Sequence, residues 1–378
     1  MEENKENIEK EPQEKSQKTI LEKVKSVLNY IFIDGLSGMA LGLFATLIIG
    51  TIICQIGSFF GDTKVAYYIK SVGTLAKALM GVGIGVGMAY KLKKAPLVAV
   101  SAGVAGMIGA FASKIIAGTV FNDAMSITTL VSVGEPLGAF VGAFVALEVG
   151  SLVSGKTKVD IIVTPLVAIA AGSIVGLLVG PPISQVMKWI GNVINTGAEQ
   201  QPILMGIIVA SIMGVCLTLP ISSAAIGVSL GLNGIAAGAA VIGCSCHMVG
   251  FAVMSFRENK WSGLVSQGLG TSMLQMPNLV KHPLCWLPPI ISSAILGPIG
   301  AVCGLSSSAV GSGMGTSGLV GVIETFSTMH QAGTNIGIVI LLVSLFLIIL
   351  PAILNIVLSE IFRKFNLIKE NDLSLKDI

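Results

Sequence analysis

The chain has 378 residues, of which 53% are hydrophobic and only 11% are charged, and its mean hydropathy is +0.87. A soluble domain carries about 25% charged residues, so this composition excludes an ordinary soluble protein and predicts a membrane domain over about residues 36–358. The net charge of +3, without a basic stripe interleaved with aromatic residues, gives no reason to expect nucleic acid as a partner.

The chain begins with a polar segment of mixed charge, residues 1–30, which predicts a cytoplasmic tail. Apolar runs follow, each about as long as the 20 residues that span the hydrocarbon core as a helix. Residues 183–201, ISQVMKWIGNVINTGAEQQ, are amphipathic instead. They predict an interfacial helix that joins an N-terminal membrane half, 31–182, to a C-terminal membrane half, 202–362, and a second cytoplasmic tail, 363–378, follows. The candidate spans are 36–57, 72–91, 96–118, 134–153, 160–180, 202–220, 284–304 and 335–359.

Lysine and arginine cluster in both tails and in short loops, which predicts that both termini are cytoplasmic. Residues 257–260 are cytoplasmic as well only if residues 222–250 make no net crossing. We therefore predict that this segment and the Ser/Gly-rich tract 306–328 are re-entrant hairpins or broken helices. If both are ordinary helices instead, the chain makes ten crossings. The predicted fold class is an all-α polytopic membrane protein with about eight to ten transmembrane helices.

Four polar residues in apolar or glycine-rich surroundings are the candidate substrate-binding residues: Glu135, His247, Asn278 and Glu324. A charge at the bilayer centre costs roughly 2.5 kcal/mol or more, so such residues usually face a cavity, a partner or a substrate. The alternatives are a carboxylate satisfied at a helix N-terminus for Glu135 and a satisfied core histidine for His247. We predict that Glu324 and His247 reach one polar cavity near mid-membrane, together with Glu135 or Asn278.

Motifs of known catalytic chemistry are missing from the sequence. No P-loop, GxSxG motif, HExxH motif or nucleotide-binding fingerprint stands in a credible context, so we predict no catalytic residue and no cofactor. The run Cys244-Ser-Cys246-His247 could suggest a metal site, but its spacing matches no zinc pattern and no second ligand pair follows.

Several glycine-rich runs resemble the stand-alone membrane subunits, IIC, of the bacterial sugar phosphotransferase system, in the group of the perfringolysin O regulator. The resemblance extends over about residues 30–360. The Gly-Ile-Thr-Glu-Pro-like motif of the glucose-type relatives is missing here, so no site residue is carried over from them. The runs are DGLSGMALGLFATLIIGTI (34–52), GVGIGVGMAYKLKKAPLVAVSAGVAG (81–106), GEPLGAFVGAFVALEVG (134–150) and LVSQGLGTSMLQMPNLVKHP (264–283).

The resemblance implies a homodimeric sugar translocator in the bacterial cytoplasmic membrane. It also implies separate cytoplasmic IIA- and IIB-type subunits if transport is coupled to phosphorylation, because this chain has no room for the soluble phosphorylating domains. Whether the chain is part of an enzyme complex therefore stays open. The alternative is a membrane-embedded regulator or sensor that keeps the same fold for ligand binding. A transporter needs a cavity that reaches both sides of the membrane, whereas a sensor needs only one.

Overall fold

The computed structural model describes residues 26–120, 134–198 and 201–375, which form helices, turns and one isolated β-bridge. The helices of the first half are α1 (Ser26–Ser58, with π-helical stretches Tyr30–Gly35 and Phe44–Ile48), α2 (Lys64–Ala78), α3 (Met80–Lys91), α4 (Pro96–Ala110), α5 (Ala112–Ile116), α6 (Pro136–Val153) and α7 (Asp160–Ala198). Those of the second half are α8 (Pro202–Thr218), α9 (Ser223–Ser229), α10 (Gly234–Met254), α11 (Phe256–Val265), the short turns Ser266–Gly270 and Ser272–Gln275, α12 (Met276–Lys281), the turn Pro283–Trp286, α13 (Leu287–Val302), α14 (Ala309–Ser312), the turn Ser317–Leu319, α15 (Val320–Gln331) and α16 (Ile336–Lys364, with the π-helical stretch Leu345–Ile349).

The predicted all-α polytopic membrane class is confirmed. Among the described residues, six helices are long and apolar enough to cross a membrane, and α2 with α3, bent by 55° at Leu79, would make a seventh. Two shorter apolar helices, α4 and α8, have 15 and 17 residues. At 1.5 Å per residue they are about 22–26 Å long, less than the hydrocarbon core of about 30 Å. The predicted eight to ten crossings are reached only if these shorter helices are counted.

The amphipathic segment 183–198 continues α7 in the structure. Helix α7 extends without interruption over 39 residues and contains Pro165, Pro181 and Pro182. Its first 24 residues, Asp160–Ile183, are the part that could span a membrane. The predicted joining helix is therefore the last part of a long helix, after its membrane-spanning residues. The predicted N-terminal tail lies mostly outside the described residues, and the chain is already helical at Ser26.

Helix α8 packs parallel to α10, which fixes how the chain turns between them. Gly243 of α10 lies against the Ala210 carbonyl, and His247 lies against Gly214, so the residue numbers rise together along both helices. Thr218, at the end of α8, is level with His247, about 10 Å before the end of α10. The chain must then return through α9 to the other end of the helix bundle before α10 begins at Gly234.

The returning element of this region is therefore 202–233, and the predicted break within 222–250 is wrong for the residues of α10. Gly234–Met254 is one continuous helix, almost wholly buried. The apolar run of α8 has nearly the length of a full span, which is why the sequence suggested a crossing there. The charge argument still holds, because α8 with α9 makes no net crossing, so Arg257 lies at the same end of the fold as Arg363, whose side chain contacts the Met254 carbonyl.

The tract 306–328 is broken, as predicted. Ser307 pairs with Gly234 at one end of α10, and the chain then descends until Thr316 contacts Met248. It returns along α15, so that Thr325 again meets Ser307. Positive φ angles at Gly315, Gly318 and Leu319, between 51° and 61°, shape the tip. Residues 307–331 thus form a hairpin that enters and leaves at the same end of the fold.

The segment that follows α16 packs back onto the fold. Leu373 is fully buried and Ile368 is 2% exposed, in the same apolar cluster as Cys285 and Leu279. Backbone carbonyl oxygens of this segment accept hydrogen bonds from buried amide side chains of residues 259–278. Residues 366–375, which we call the C-terminal segment, therefore belong to the core at this end of the molecule.

Candidate functional site

A cavity of about 220 Å³, the inner cavity, lies between the two halves. The first half contributes one face of α1, the last turn of α2 and the start of α6. The second half contributes the end of α8, the start of α9 and the tip of the 307–331 hairpin. Its lining residues are Leu43, Leu47, Ile48, Thr51, Lys77, Pro136, Leu217, Ile221, Ser222, Ser223, Ala224, Val228, Thr271, Met273, Val310, Met314, Ser317 and Val320.

The two returning elements meet at this cavity. The Ser223 hydroxyl donates to the Gly313 carbonyl at 2.6 Å, which ties the start of α9 to the tip of the hairpin. The same tip is held to the π-helical turn before Thr271, because Ser317 donates to the Gly270 carbonyl at 2.8 Å and Thr316 donates to that of Gly268. The walls of the second half are thus irregular backbone that lines a cavity, the setting in which a membrane protein tolerates such backbone.

Glu135 lies just behind the cavity wall. It caps the N-terminus of α6, where its own N–H donates to the Ala110 carbonyl at 2.8 Å. Its Oε1 accepts a hydrogen bond from the backbone N–H of Ser222 at 3.3 Å, and the neighbouring Pro136 lines the cavity. This carboxylate therefore connects the first half to the start of α9 across the boundary between the halves.

His247 also lies behind the wall, on the second half. Its Nδ1 is 2.9 Å from Thr218 Oγ1, which is in turn 2.8 Å from Ser272 Oγ, beside the cavity-lining Thr271. Its Nε2 is buried without a hydrogen-bond partner, and the ring contacts the rings of Phe251 and Trp286. The imidazole is connected to the cavity through hydroxyl groups and does not line it.

Glu324 is held by the hairpin to which it belongs. Its Oε2 accepts a hydrogen bond from the Ser308 hydroxyl at 2.7 Å, and its side chain lies over Gly311. The residue is partly exposed and lies outside the lining of the inner cavity. The structure shows no contact between Glu324 and His247, so their joint role stays a prediction.

Asn278 holds the C-terminal segment. Its Nδ2 donates to the Ser374 carbonyl and to Gln275 Oε1, both at 2.8 Å. Gln275 donates to Gln267 at 2.8 Å and to the Leu373 carbonyl at 3.0 Å. This chain of buried amides uses the donors of Asn278 within the protein, at a distance from the cavity lining.

One candidate residue was not predicted from the sequence. Among the described residues, Lys77 is the only charged one in the cavity lining, and it lies two residues before the bend at Leu79. The signal was present, since a lysine stood inside a predicted span, 72–91. A single lysine in an otherwise apolar run can also reach the membrane surface with its long side chain, so the sequence alone does not distinguish it from a lysine at the end of a span.

Comparison with known proteins identifies the family. The family model for the membrane component EIIC of the phosphotransferase system matches residues 33–375, nearly the whole chain. Searches among curated proteins and among solved structures gave no match. The resemblance predicted from the glycine-rich runs is thereby confirmed, and the family supports a sugar-permease type of role in a membrane. The chain belongs to the EIIC family of the phosphotransferase system.

Proposed function

We propose that this protein carries a sugar across the membrane and that the inner cavity holds the sugar during transport. The observation that carries the proposal is the position of the cavity, between the halves and against the tips of two returning elements. A shift of one half against the other would open such a cavity first to one side and then to the other. Transporters commonly place substrate where broken helices meet.

The lining has the chemistry that a sugar requires. Thr51, Ser223 and Ser317 each donate their hydroxyl proton to a backbone carbonyl, which leaves their oxygen lone pairs to accept from sugar hydroxyls. Thr271 Oγ1 instead accepts from the Met273 N–H at 3.2 Å, so its own proton can be donated. Apolar side chains complete the wall, as is usual in small-molecule sites.

Two of the predicted site residues act on this wall from behind. Glu135 holds the Ser222 N–H in place, and His247 holds Thr218, which in turn holds Ser272. We assign positioning roles to both. Direct contacts of Glu324 and Asn278 with substrate stay predictions from the sequence, and their hydrogen bonds support structural roles.

The surroundings of the transporter are part of the same proposal. We expect a homodimer in a bacterial cytoplasmic membrane, with both termini cytoplasmic and with separate IIA- and IIB-type subunits that phosphorylate the arriving sugar. Support for the topology comes from the basic residues. Helix α12 packs against Tyr30–Gly35 and thereby connects the region of Lys94 with the region of Arg363. The two basic residues thus lie at the same end of the fold, as a common cytoplasmic side requires. Chemical cross-linking in membranes tests the dimer, and impermeant thiol labelling of cysteines placed in the tails tests the topology.

Filling the cavity tests the transport site. In vesicles that contain the purified protein, uptake of a panel of radiolabelled monosaccharides is measured for the wild type and for Val310→Trp, which places an indole in the cavity wall. Val302→Trp is the matched control, because Val302 is 68% exposed and lies outside the cavity. We expect Val310→Trp to abolish uptake and Val302→Trp to keep it, with equal amounts of folded protein in both.

The outcomes separate the functional classes. Normal uptake by Val310→Trp would remove the cavity from the transport path. Binding of a sugar by the wild type without any uptake would favour a sensor built on the same fold. Addition of soluble phosphocarrier subunits inside the vesicles tests the coupling, since uptake that does not respond to them is not driven by phosphorylation.

A further inference from the structure

Lys77 is a cation without a described partner in the wall of the inner cavity. Among residues 26–120, 134–198 and 201–375, no carboxylate lies within 4.0 Å of its ammonium group. The other cavity-lining residues are apolar side chains, hydroxyl-bearing side chains and a proline. A charged residue in a membrane segment usually serves a pathway or a ligand. The inner cavity therefore carries a positive charge that nothing in its lining balances.

The position of Lys77 is fixed by close packing against α1. A methyl group at Gly50 would come within 2.9 Å of both the backbone nitrogen and the Cγ atom of Lys77. Gly73, one turn earlier on α2, contacts α1 in the same way through Cys54 and the Gly50 carbonyl. The backbone and the first carbons of the lysine are therefore held against this helix, beside the cavity that the residue lines.

Glu135 does not neutralise this charge. Its carboxylate is turned towards the Ser222 N–H, behind the wall, and it makes no ion pair with Lys77. The hydroxyl groups of Thr51 and Ser317 in the lining donate their protons to backbone carbonyls, and their neutral oxygens do not compensate the charge of a lysine as a carboxylate would.

We propose that the inner cavity selects a monosaccharide that carries a carboxylate, such as a uronic acid, and that Lys77 binds this carboxylate. The proposal rests on the sugar-transport function proposed above and names its substrate class. The sugar hydroxyls donate to Thr51, Ser223 and Ser317, while the acidic group faces Lys77, on the same side of the cavity as Thr51. The volume of about 220 Å³ is below the roughly 300–1,000 Å³ of pockets for drug-sized ligands, which suits a single sugar ring.

Matched pairs of sugars test the inference. Dissociation constants are measured by calorimetry on the purified full-length protein for glucose against glucuronate, galactose against galacturonate and mannose against mannuronate, with glucose 6-phosphate as a further probe. Within each pair only the group at the sixth carbon differs. For at least one pair we expect the acid to bind about tenfold more tightly, as one hydrogen bond to a charged group contributes.

Variants of Lys77 test whether this residue causes the preference for the acidic sugar. Lys77→Gln should reduce the acid-to-neutral ratio to about one, whereas Lys77→Arg should retain a preference. Lys64→Gln is the matched control, because Lys64 starts the same helix and is exposed outside the cavity. An acid preference that survives in Lys77→Gln would overturn the role of Lys77.

Three results for the wild type alone contradict the proposal, whatever the variants do. Neutral sugars that bind as tightly as the acids would overturn the inference and leave the transport function standing. Tighter binding of glucose 6-phosphate than of every uronic acid would overturn the choice of a carboxylate. Absence of both binding and uptake for all sugars of the panel would overturn the proposed function as well.

Discussion

The two halves of the molecule differ in the contacts that hold their own helices together. Of the polar residues that are buried within the described chain, 4 lie in residues 26–198 and 20 lie in residues 201–375. The second half also contains both returning elements and the amide network under the C-terminal segment. Among the described helices of the first half, α5 is the shortest, with five residues, and α2, α3, α4, α6 and α7 have 12 to 39 residues.

Glycine-to-carbonyl contacts occur in both halves, as between Gly243 and the Ala210 carbonyl in the second, but in the first half they stand with few buried polar groups. Gly42 lies against the Gly83 carbonyl, Gly85 against that of Ala102 and Gly109 against that of Gly138. In a bilayer no hydrophobic effect drives helices together, so close backbone approach through small residues supplies the packing. Such an interface has one good arrangement and resists sliding.

This difference between the halves indicates that they have different roles in transport. A half that is packed backbone to backbone and buries few polar groups is suited to be a fixed frame. A half whose buried hydroxyls and amides hold irregular segments can exchange hydrogen bonds as those segments move. On this basis we expect residues 219–233 and the hairpin 307–331 to move during transport, while α1, α3, α4 and α6 stay together and α8 keeps its close packing against α10.

Loss of the buried ion pair in the second half should have the largest effect on stability. Arg363 Nη2 donates to Glu258 Oε1 at 2.8 Å, and the two side chains are 9% and 4% exposed. Arg363→Met leaves a buried carboxylate without its partner, which costs about 3–5 kcal/mol. Arg257→Met is the control, because the Arg257–Glu360 pair is 62% and 46% exposed and contributes at most about 1 kcal/mol. Unfolding by denaturant in detergent micelles measures both.

Equal losses in the two arginine variants would contradict the comparison between the halves. The buried ion pair would then stabilise the second half no more than an exposed pair does, and packing would hold this half as it holds the first.

A methyl group in the frame should have the next largest effect. Gly42→Ala would overlap the Gly83 carbonyl on the facing helix, and backbone cannot give way as a side chain can. We expect a loss of about 1–3 kcal/mol. Gly103→Ala is the matched control in the same half, since its nearest neighbours are methyl groups of Val82 and Val86 at 3.2 and 3.4 Å, which can shift. If both variants melt at the same temperature, glycine-to-carbonyl packing is not what holds the frame.

The smallest effect concerns the polar contact between Lys94 and Glu148, at one end of the frame. Lys94 Nζ lies 2.8 Å from Glu148 Oε1. Burial alone would lower the pKa of Lys94, but hydrogen bonds to Glu148 and Tyr30 outweigh it and raise the pKa. This contribution to stability is fully present below the ordinary value of 10.5 and is lost as pH rises through the higher folded value. Because Glu148 is 40% exposed, we expect at most about 1 kcal/mol.

Thermal melts of the wild type and Lys94→Met between pH 8 and about 11.5 check this, because the difference between their melting temperatures should shrink above the ordinary lysine pKa. Lys91→Met, which removes a lysine without an ion pair among the described residues, should melt like the wild type throughout. A difference that grows with pH would give the interaction the opposite sign.

The sequence predicted the all-α membrane class and the break at 306–328, because composition and glycine content report directly on both. It misplaced the other returning element. Residues 202–218 are as apolar as a crossing helix, and only their parallel contact with α10 shows that they stop level with His247. Direction of packing is a tertiary property that hydropathy does not contain.

The site was harder to predict for a related reason. Polarity within an apolar run identifies residues that need a partner, but it does not say which partner. Asn278 donates a hydrogen bond to the Ser374 carbonyl, nearly a hundred residues later in the chain, and Glu324 accepts one from the Ser308 hydroxyl. Lys77 is the residue whose partner the described structure does not supply, and this can be known only after the contacts are seen.

The packing of the C-terminal segment has a consequence for the order in which the protein is built. Residues 366–375 are synthesised after every helix that they contact, yet Leu373 completes an apolar cluster and the Leu373 carbonyl satisfies the amides of Asn259 and Gln275. Before those residues leave the ribosome, the helices can be inserted into the membrane, but this end of the second half is still open to water. Insertion into the membrane and completion of the core are therefore separate events, and a ribosome that stalls before residue 366 would leave an inserted but unfinished protein for quality-control proteases to recognise.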